Sequence, residues 1–162
     1  MTTRNDSDDQ AAKTEAIIRR TNACPYYQLL GMRVAELGTG YARVHLPAAT
    51  KLHQPFGFVH GGAVSSVVDA AGGLALTSLL SLDERAVTVE LKVNYLAAVR
   101  DGELSGEGRV VHRGSRIAVV DVEVHGSGDK LVAKALGTFL VGRAGDRNRD
   151  GQDTQDRHLP SQ

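Results

Sequence analysis

The longest apolar stretch of the chain lies in residues 54–80, and a single acidic residue, Asp69, interrupts it. The stretch opens with the loop-like run FGFVHGG, and from Ala63 onward apolar residues recur at the three- and four-residue spacing of a helix. Ala and Gly fill most of the other positions, so the helix is apolar nearly all round, which is typical of a core helix. The pattern predicts a buried central helix that carries one functional carboxylate.

Segments with a two-residue alternation of apolar and polar positions lie on both sides of this helix. Before it, residues 32–37 and 41–46 flank the turn sequence GTG, which predicts a hairpin. After it, turn signals separate four strand-like segments, at residues 86–99, 103–112, 115–125 and 130–142. We expect these four to form an antiparallel meander, the first of them with one face in the core and one in water.

This order of elements lacks the alternation of strands and helices that builds parallel sheets. It predicts an α+β fold in which a curved antiparallel sheet of five to six strands wraps around the central helix. An amphipathic helix is expected at residues 10–22, ending before Pro25, and the cluster after it, Tyr26, Tyr27, Leu29 and Leu30, is expected to pack in the core.

The two ends of the chain differ from the rest in composition. Residues 1–9 and 143–162 are polar and have no apolar periodicity, which predicts disordered tails around a single domain at residues 10–142. The whole chain has 162 residues, 41% of them hydrophobic, which suffices for one core.

Charge and cysteine content narrow the function classes. The 19 basic and 19 acidic residues balance without a basic block, so we expect no nucleic-acid partner. The single cysteine, Cys24, excludes an internal disulfide and fits a reducing compartment. We read no N-terminal leader and no membrane-spanning run, so a cytoplasmic protein with no membrane partner is expected.

Asp69 has only small neighbours one helical turn away on either side: Ser65, Ser66, Gly72 and Gly73. A lone ionised carboxylate in an apolar core is costly unless it is paired, hydrogen-bonded or protonated. Two readings follow from this. Asp69 is either a satisfied structural residue bonded to Ser65 or the backbone, or a functional acid that a ligand approaches closely.

Several of these features together resemble the hotdog-fold acyl-CoA thioesterases, most closely the PaaI-like branch. The features are the HGG at residues 60–62 opening the helix, the acid nine positions after His60, and the late strand DKLVAKALGTFLV. Residues 25–142 match in element order, and residues 54–69 form the specific block. The resemblance implies a hotdog fold, an acyl-CoA substrate hydrolysed by water, and no cofactor. It also implies active sites shared between two subunits. That sharing and an exposed sheet edge together predict a homo-oligomer, a dimer pairing into a tetramer.

The resemblance also implies roles for individual residues. Asp69 matches the catalytic base or nucleophile, and Gln54 matches the amide that orients water or the acid. Gly61 begins the helix, where a backbone N–H without an intrahelical partner can stabilise an oxyanion. His60 either assists the substrate or holds the turn into the helix.

Substrate contacts are expected at two places. Gly62, Ser66 and Gly73 are small residues near the acid. The turn Arg113, Gly114, Ser115 and Arg116 offers cations and turn amides to the phosphates of coenzyme A, although a solvated turn explains it equally well.

Alternatives to thioester hydrolysis have less support in the sequence. A metal site at His53, His60 and Asp69 has unsuitable spacing, so no metal is expected. A Ser65 or Ser66 nucleophile lacks the GxSxG elbow, and no hydratase motif is present. The main alternative is a non-catalytic acyl-CoA binding protein, a carrier or regulatory domain, which would have no need of Asp69. The acyl group, whether aryl, arylacetyl or medium-chain, stays open.

Overall fold

The computed structural model describes residues 3–143 of the chain. A six-stranded antiparallel sheet packs against one long helix, which contacts every strand. The helices are α1 (Thr3–Asn22), α2 (Pro25–Leu30) and α3 (Gly61–Thr77). The strands are β1 (Arg33–Gly38), β2 (Tyr41–Pro47), β3 (Glu84–Tyr95), β4 (Glu103–Arg113), β5 (Ile117–His125) and β6 (Leu131–Arg143). The predicted α+β architecture, its hairpin and its central helix are confirmed.

The order of strands in the sheet is β1-β2-β4-β5-β6-β3, which corrects part of the predicted meander. Strands β4, β5 and β6 do follow one another, but β3 pairs with β6 and lies at the edge of the sheet. The segment of residues 96–102 therefore crosses from that edge to the side of β2, where β4 pairs. Turn signals show where a chain reverses, but the partner of a strand depends on contacts distant in sequence.

Helix α3 lies against the sheet at unusually short range because β4 presents two glycines to it. A Cβ added at Gly108 would come within 2.4 Å of the Ala71 carbonyl oxygen, and one at Gly106 within 2.4 Å of the Val67 side chain. Val67 and Ala71 are fully buried at this contact. The two glycines on one strand therefore set how deeply the helix sits.

Gly72 and Gly73 of α3 have different surroundings. A Cβ at Gly72 would lie 3.3 Å from the Phe139 ring, so the absence of a side chain there makes room for an aromatic residue of β6. At Gly73 the nearest atom would be the edge of the same ring at 3.8 Å, which is ordinary contact distance. Gly72 thus serves packing, whereas Gly73 borders open space.

The N-terminal segment differs from its prediction in two respects. Helix α1 begins at Thr3 instead of residue 10, so residues 3–9 of the predicted tail are helical, and no Pro or Gly occurs among them to prevent it. The residues after Pro25 form the short helix α2, which contains no buried residue: Tyr26 and Leu29 are exposed, while Tyr27 and Leu30 only adjoin the core. The predicted core cluster is wrong for the two exposed residues because a one-and-a-half-turn helix has an outer face.

At the other end, β6 continues to Arg143, one residue beyond the predicted domain boundary at 142. The rest of the predicted C-terminal tail, residues 144–162, lies outside the described residues, as do residues 1 and 2. Within residues 3–143, no helix is both long enough and apolar enough to cross a membrane.

Candidate active site

Asp69 faces a cavity of about 490 Å³ beside α3. Its carboxylate is only half-buried, and its Oδ1 accepts a hydrogen bond of 2.7 Å from the Thr88 hydroxyl on β3. Ser65, one of the two partners named in the structural reading of Asp69, instead bonds to Tyr95. In the described part of the chain Asp69 Oδ2 has no hydrogen-bond partner and no cation pairs with the carboxylate. One carboxylate oxygen is therefore held, and the other has no partner in this part of the chain.

Thr88 reaches Asp69 because β3 contains a bulge at Val89. The pairing with β6 shifts between Thr88 and Glu90, so the strand changes which of its residues face the helix. Ala86 and Thr88 face α3 before the bulge, whereas Leu91 does so after it. The predicted single apolar face is therefore wrong: Val87 and Val89 are 60% and 61% exposed. An extra residue in a strand leaves no mark in the apolar alternation, so sequence reasoning missed Thr88.

The wall of the cavity combines hydroxyl groups with apolar side chains. The hydroxyl-bearing residues are Thr21, Tyr26, Tyr27, Ser65, Ser66, Thr77 and Thr88, and the apolar ones include Met32, Leu74, Leu91 and Phe139. Two residues predicted to contact substrate, Gly62 and Ser66, line it together with Gly73 and Asp69. Gly62, Ser66 and Gly73 therefore lie on the same cavity wall as the acid, while their contact with substrate stays a prediction.

Tyr26 and Tyr27 of α2 line this cavity together with residues of α3. The Ser66 hydroxyl donates to the Gly62 carbonyl oxygen at 2.9 Å, so the Tyr26 hydroxyl is the donor in its 2.7 Å bond to Ser66. The Tyr27 hydroxyl has no partner among the described residues. Burial raises the pKa of Tyr27 well above its usual value, and the negative charge of Asp69 adds to this. Tyr27 thus stays a protonated donor at the cavity wall.

The first turn of α3 is capped by His60. Its Nδ1 accepts a 2.8 Å hydrogen bond from the Gly62 N–H, which requires a neutral ring with the proton on Nε2. The Gly61 N–H, in contrast, has no acceptor among the described residues. His60 therefore holds the turn into the helix and leaves the Gly61 N–H available, while a contact of His60 with substrate stays a prediction.

Tyr95 holds Gly61 from the other side. Its hydroxyl donates to the Gly61 carbonyl oxygen at 3.3 Å and shares a 2.6 Å hydrogen bond with Ser65. A Cβ at Gly61 would lie 3.4 Å from the Tyr95 ring, so the ring packs directly on the glycine backbone. In the sequence Tyr95 is simply part of the strand pattern at residues 86–99, which gives no sign of a role at the helix start.

Gln54 does not meet Asp69 within one chain. It lines a second cavity of about 340 Å³ together with Gly61 and Tyr95, and Asp69 is not part of that wall. The side-chain oxygen of Gln54 accepts a hydrogen bond from the Phe56 N–H, within the tight turn that ends at Gly57. The structure thus separates the predicted group into Asp69 on one side and Gly61 with Gln54 on the other.

The turn predicted to meet coenzyme A phosphates lies away from both cavities. Arg113 donates to Glu84 at 2.6 Å and also to the carbonyl oxygen of Gly114. Ser115 and Arg116 are exposed, and none of the four residues lines the cavity that contains Asp69. A role for this turn in phosphate binding stays a prediction, with one of its two cations already paired.

The three residues of the metal alternative, His53, His60 and Asp69, do not form a cluster in the described part of the chain. Among the described residues, no three His, Cys, Asp or Glu side chains are placed to hold a metal ion. The Nε2 of His53 is buried and has no hydrogen-bond partner among the same residues. Cys24 is half-buried at the start of α2.

Comparison with known proteins relates this fold and cavity to one family. The family model described as "Thioesterase superfamily" matches residues 56–133, which include α3, β3, β4 and β5. A protein from Saccharolobus solfataricus, named provisionally as an esterase, is 38% identical over 117 residues, which is 72% of this chain and 77% of that protein. The chain belongs to the thioesterase superfamily, and the hotdog fold expected from the resemblance is confirmed.

Two further similarities concern structure and activity. The solved structure of the conserved protein PA5202 from Pseudomonas aeruginosa is 45% identical with a TM-score of 0.72, and the match covers 76% of this chain and 98% of that one. A relative from Listeria monocytogenes, named 1,4-dihydroxy-2-naphthoyl-CoA hydrolase, is 25% identical over 70% of this chain and 93% of its own. Membership of the superfamily supports thioester hydrolysis as the general class of activity.

Proposed function

We propose that this protein hydrolyses an acyl-CoA thioester to a free carboxylic acid and coenzyme A, with Asp69 as base or nucleophile. The observation that carries the proposal is the carboxylate of Asp69, which lines a cavity of about 490 Å³, accepts a hydrogen bond from Thr88 at Oδ1 and has no partner at Oδ2 among the described residues. A cavity of this size is within the range that holds small-molecule ligands. Membership of the thioesterase superfamily supports the same chemistry.

Two routes use Asp69 with a balanced set of bonds. As a general base, Oδ2 takes a proton from water, the water oxygen attacks the thioester carbon, and the C–S bond breaks to release the thiolate. As a nucleophile, Oδ2 attacks the thioester carbon, the C–S bond breaks to release the thiolate, and the mixed anhydride that forms is hydrolysed by water to the free acid and the Asp69 carboxylate. In both routes a backbone N–H must stabilise the oxygen that gains negative charge, and Gly61 is the candidate because its N–H is not used within the described residues.

The spacing of these groups supports a site built from two copies of the chain. Gly61 and Asp69 are eight residues apart on one helix, which corresponds to about 12 Å along its axis. A base and an oxyanion donor must both lie within about 3 Å of the same reacting group. We therefore propose that Asp69 of one copy works with Gly61 and Gln54 of another.

An exposed edge of the sheet supports the same assembly. Strand β3 is the last strand of the sheet and exposes Val87 and Val89. An uncovered edge strand with apolar side chains is a surface for pairing with another chain. We propose a dimer that pairs into a tetramer, and sedimentation at micromolar concentration tests it: a monomer that turns over substrate would contradict the shared site.

The residues of the cavity wall support a chemical class of acyl group and do not single out one compound. The ring of Phe139 and the side chains of Leu74 and Leu91 offer apolar contacts, and the hydroxyl groups around them offer hydrogen bonds. Aryl, arylacetyl and medium-chain acyl groups all fit this description. The name of the Listeria relative supports an aryl thioester as the first one to assay.

Thiol release from a panel of aryl, arylacetyl and medium-chain acyl-CoA thioesters tests the proposal. We expect the wild-type protein to hydrolyse at least one of them. Asp69→Asn should lower kcat by about a hundredfold or more, because it removes the proton acceptor or nucleophile and keeps the shape of the side chain. Unchanged thermal unfolding and sedimentation of the variant are the controls.

Two results would contradict the proposed function. If the wild-type protein binds these thioesters and hydrolyses none, the non-catalytic binding protein is the better description. If Asp69→Asn retains full activity, the assignment of Asp69 is wrong.

A further inference from the structure

A third cavity, of about 840 Å³, lies where α1 passes the connection between α3 and β3. Four cationic residues line it, and only one acidic residue does; they are Lys13, Arg19, Arg20, Arg85 and Glu84. The chain as a whole has balanced charge, so this wall departs from the composition of the protein. We call this cavity the basic groove.

The positive charges of the basic groove are not neutralised by its own acid. Glu84 is paired with Arg113, 2.6 Å away on β4. Lys13 donates to the Leu80 carbonyl oxygen at 2.8 Å, and Arg85 donates to two carbonyl oxygens nearby, so both are oriented by neutral groups. Among the described residues Arg19 and Arg20 have neither an ion pair nor a hydrogen bond from the side chain. Two oriented and two unpaired cations therefore face one cavity.

The basic groove adjoins the cavity of Asp69. Thr77 and Ala86 belong to the walls of both, so the two spaces are neighbours. Thr77 follows Asp69 by eight residues on α3, which places the start of the basic groove about 12 Å along the helix from the acid. An extended substrate held at Asp69 can thus reach the groove with its far end.

We propose that the basic groove binds an anionic group of the substrate, at a distance from the thioester bond. This inference rests on the proposed thioesterase function. Two parts of an acyl-CoA can supply the anion: the phosphates of coenzyme A, or a carboxylate at the far end of a dicarboxylic acyl group. Guanidinium groups bind both with paired hydrogen bonds, and the shared chemistry is an oxyanion.

The test removes the two unpaired cations with the double variant Arg19→Gln/Arg20→Gln. The matched control is Arg109→Gln/Lys130→Gln, which removes the same charge from two exposed positions that line neither cavity. Four substrates separate the two sources of the anion. They are hexanoyl and adipoyl thioesters, each made both with coenzyme A and with N-acetylcysteamine, which has no phosphate.

The groove variant should lower kcat/KM about tenfold, mainly through KM, on every substrate that carries the anion it contacts. A loss on both coenzyme A thioesters identifies the phosphates, and a loss on both adipoyl thioesters identifies the carboxylate. The effect should shrink at high salt concentration, because exposed charges are screened. The control variant should change none of the four values by more than about twofold.

Equal values for the groove variant and wild type on all four substrates would overturn the proposal, and so would an equal loss in the control. If the wild-type protein hydrolyses none of the substrates, the proposed function fails separately. The groove is then tested by calorimetric binding of coenzyme A, hexanoyl-CoA and adipoyl-CoA to the same variants. Unchanged affinity for all three would overturn it.

Discussion

The hydroxyl of Thr88 donates a 2.7 Å hydrogen bond to Oδ1 of Asp69 and so connects the edge strand β3 to the central helix. The bond forms because the bulge at Val89 turns Thr88 toward the helix. A carboxylate with one oxygen fixed presents the other in a defined direction, which a base or nucleophile needs. The sheet edge, where we propose the second copy pairs, and the acid are thus linked by one contact.

Replacing Thr88 tests this link. Thr88→Val keeps the shape of the side chain and removes the donor, so we expect kcat to fall about tenfold or more, the worth of a hydrogen bond to a charged group. Thr88→Ser retains a hydroxyl and should recover most of the rate. Steady-state thiol release measures both, with thermal unfolding to check the fold. Equal rates for the valine variant and wild type would show that the bond does not orient the acid.

The parts of the fold that follow local patterns could be predicted from the sequence. The apolar spacing from Ala63 onward located α3, and the GTG turn located the first hairpin. The spacing of Ser66, Asp69 and Gly73 placed them on one helical face, where they line one cavity. These features depend on residues within a few positions of each other.

Features that depend on distant pairing could not be predicted. Strand β3 pairs with β6, and the bulge at Val89 is a shift in that pairing. Strand β6 has 13 residues and follows β3 only after two other strands. Tyr27 approaches Asp69 from a helix more than forty positions earlier in the chain, so no spacing rule relates them. The grouping of Gln54 with Asp69 relied on a resemblance, and within one chain the two residues line different cavities.

The hydroxyl of Tyr27 should contribute to substrate binding. It remains protonated, because burial and then the charge of Asp69 raise its pKa, and it has no hydrogen-bond partner among the described residues. A donor at a cavity wall is available to a substrate oxygen, so Tyr27→Phe should raise KM several-fold, by about the worth of one neutral hydrogen bond, and leave kcat within about twofold.

Tyr26→Phe is the matched control for Tyr27→Phe, because the hydroxyl of Tyr26 is already bonded to Ser66. Its KM should change less than that of Tyr27→Phe. Identical kinetic constants for Tyr27→Phe and the wild-type protein would show that the hydroxyl faces only water in the complex.

His125 should make the stability of the protein depend on pH. Its hydrogen bond to Asp129 raises the pKa of the imidazole, and the bond to Glu123 adds to this, against the lowering effect of burial. The folded state then binds the proton more tightly than the unfolded state. The resulting stabilisation is present below the usual histidine pKa of about 6.5 and is lost as pH rises through the higher folded value.

Denaturant unfolding of His125→Gln and wild type measures this effect. The difference in the free energy of unfolding should be larger at about pH 5 than at about pH 9. The single variant Asp129→Asn, which retains His125, should show a smaller dependence of the free energy of unfolding on pH than the wild-type protein. A difference that grows toward alkaline pH would contradict the assignment.

The two glycine contacts of α3 predict opposite effects for the same substitution. Gly108→Ala would place a Cβ 2.4 Å from the Ala71 carbonyl oxygen, and neither backbone can move without shifting the helix from the sheet. We expect it to lower the free energy of unfolding by about 3 kcal/mol or more.

Gly73→Ala places its Cβ 3.8 Å from the Phe139 ring and replaces a poor helix former, so it should raise the free energy of unfolding by up to about 1 kcal/mol. Chemical denaturation of both variants compares them directly, and a Gly108→Ala variant as stable as wild type would show that α3 does not need this close approach to the sheet.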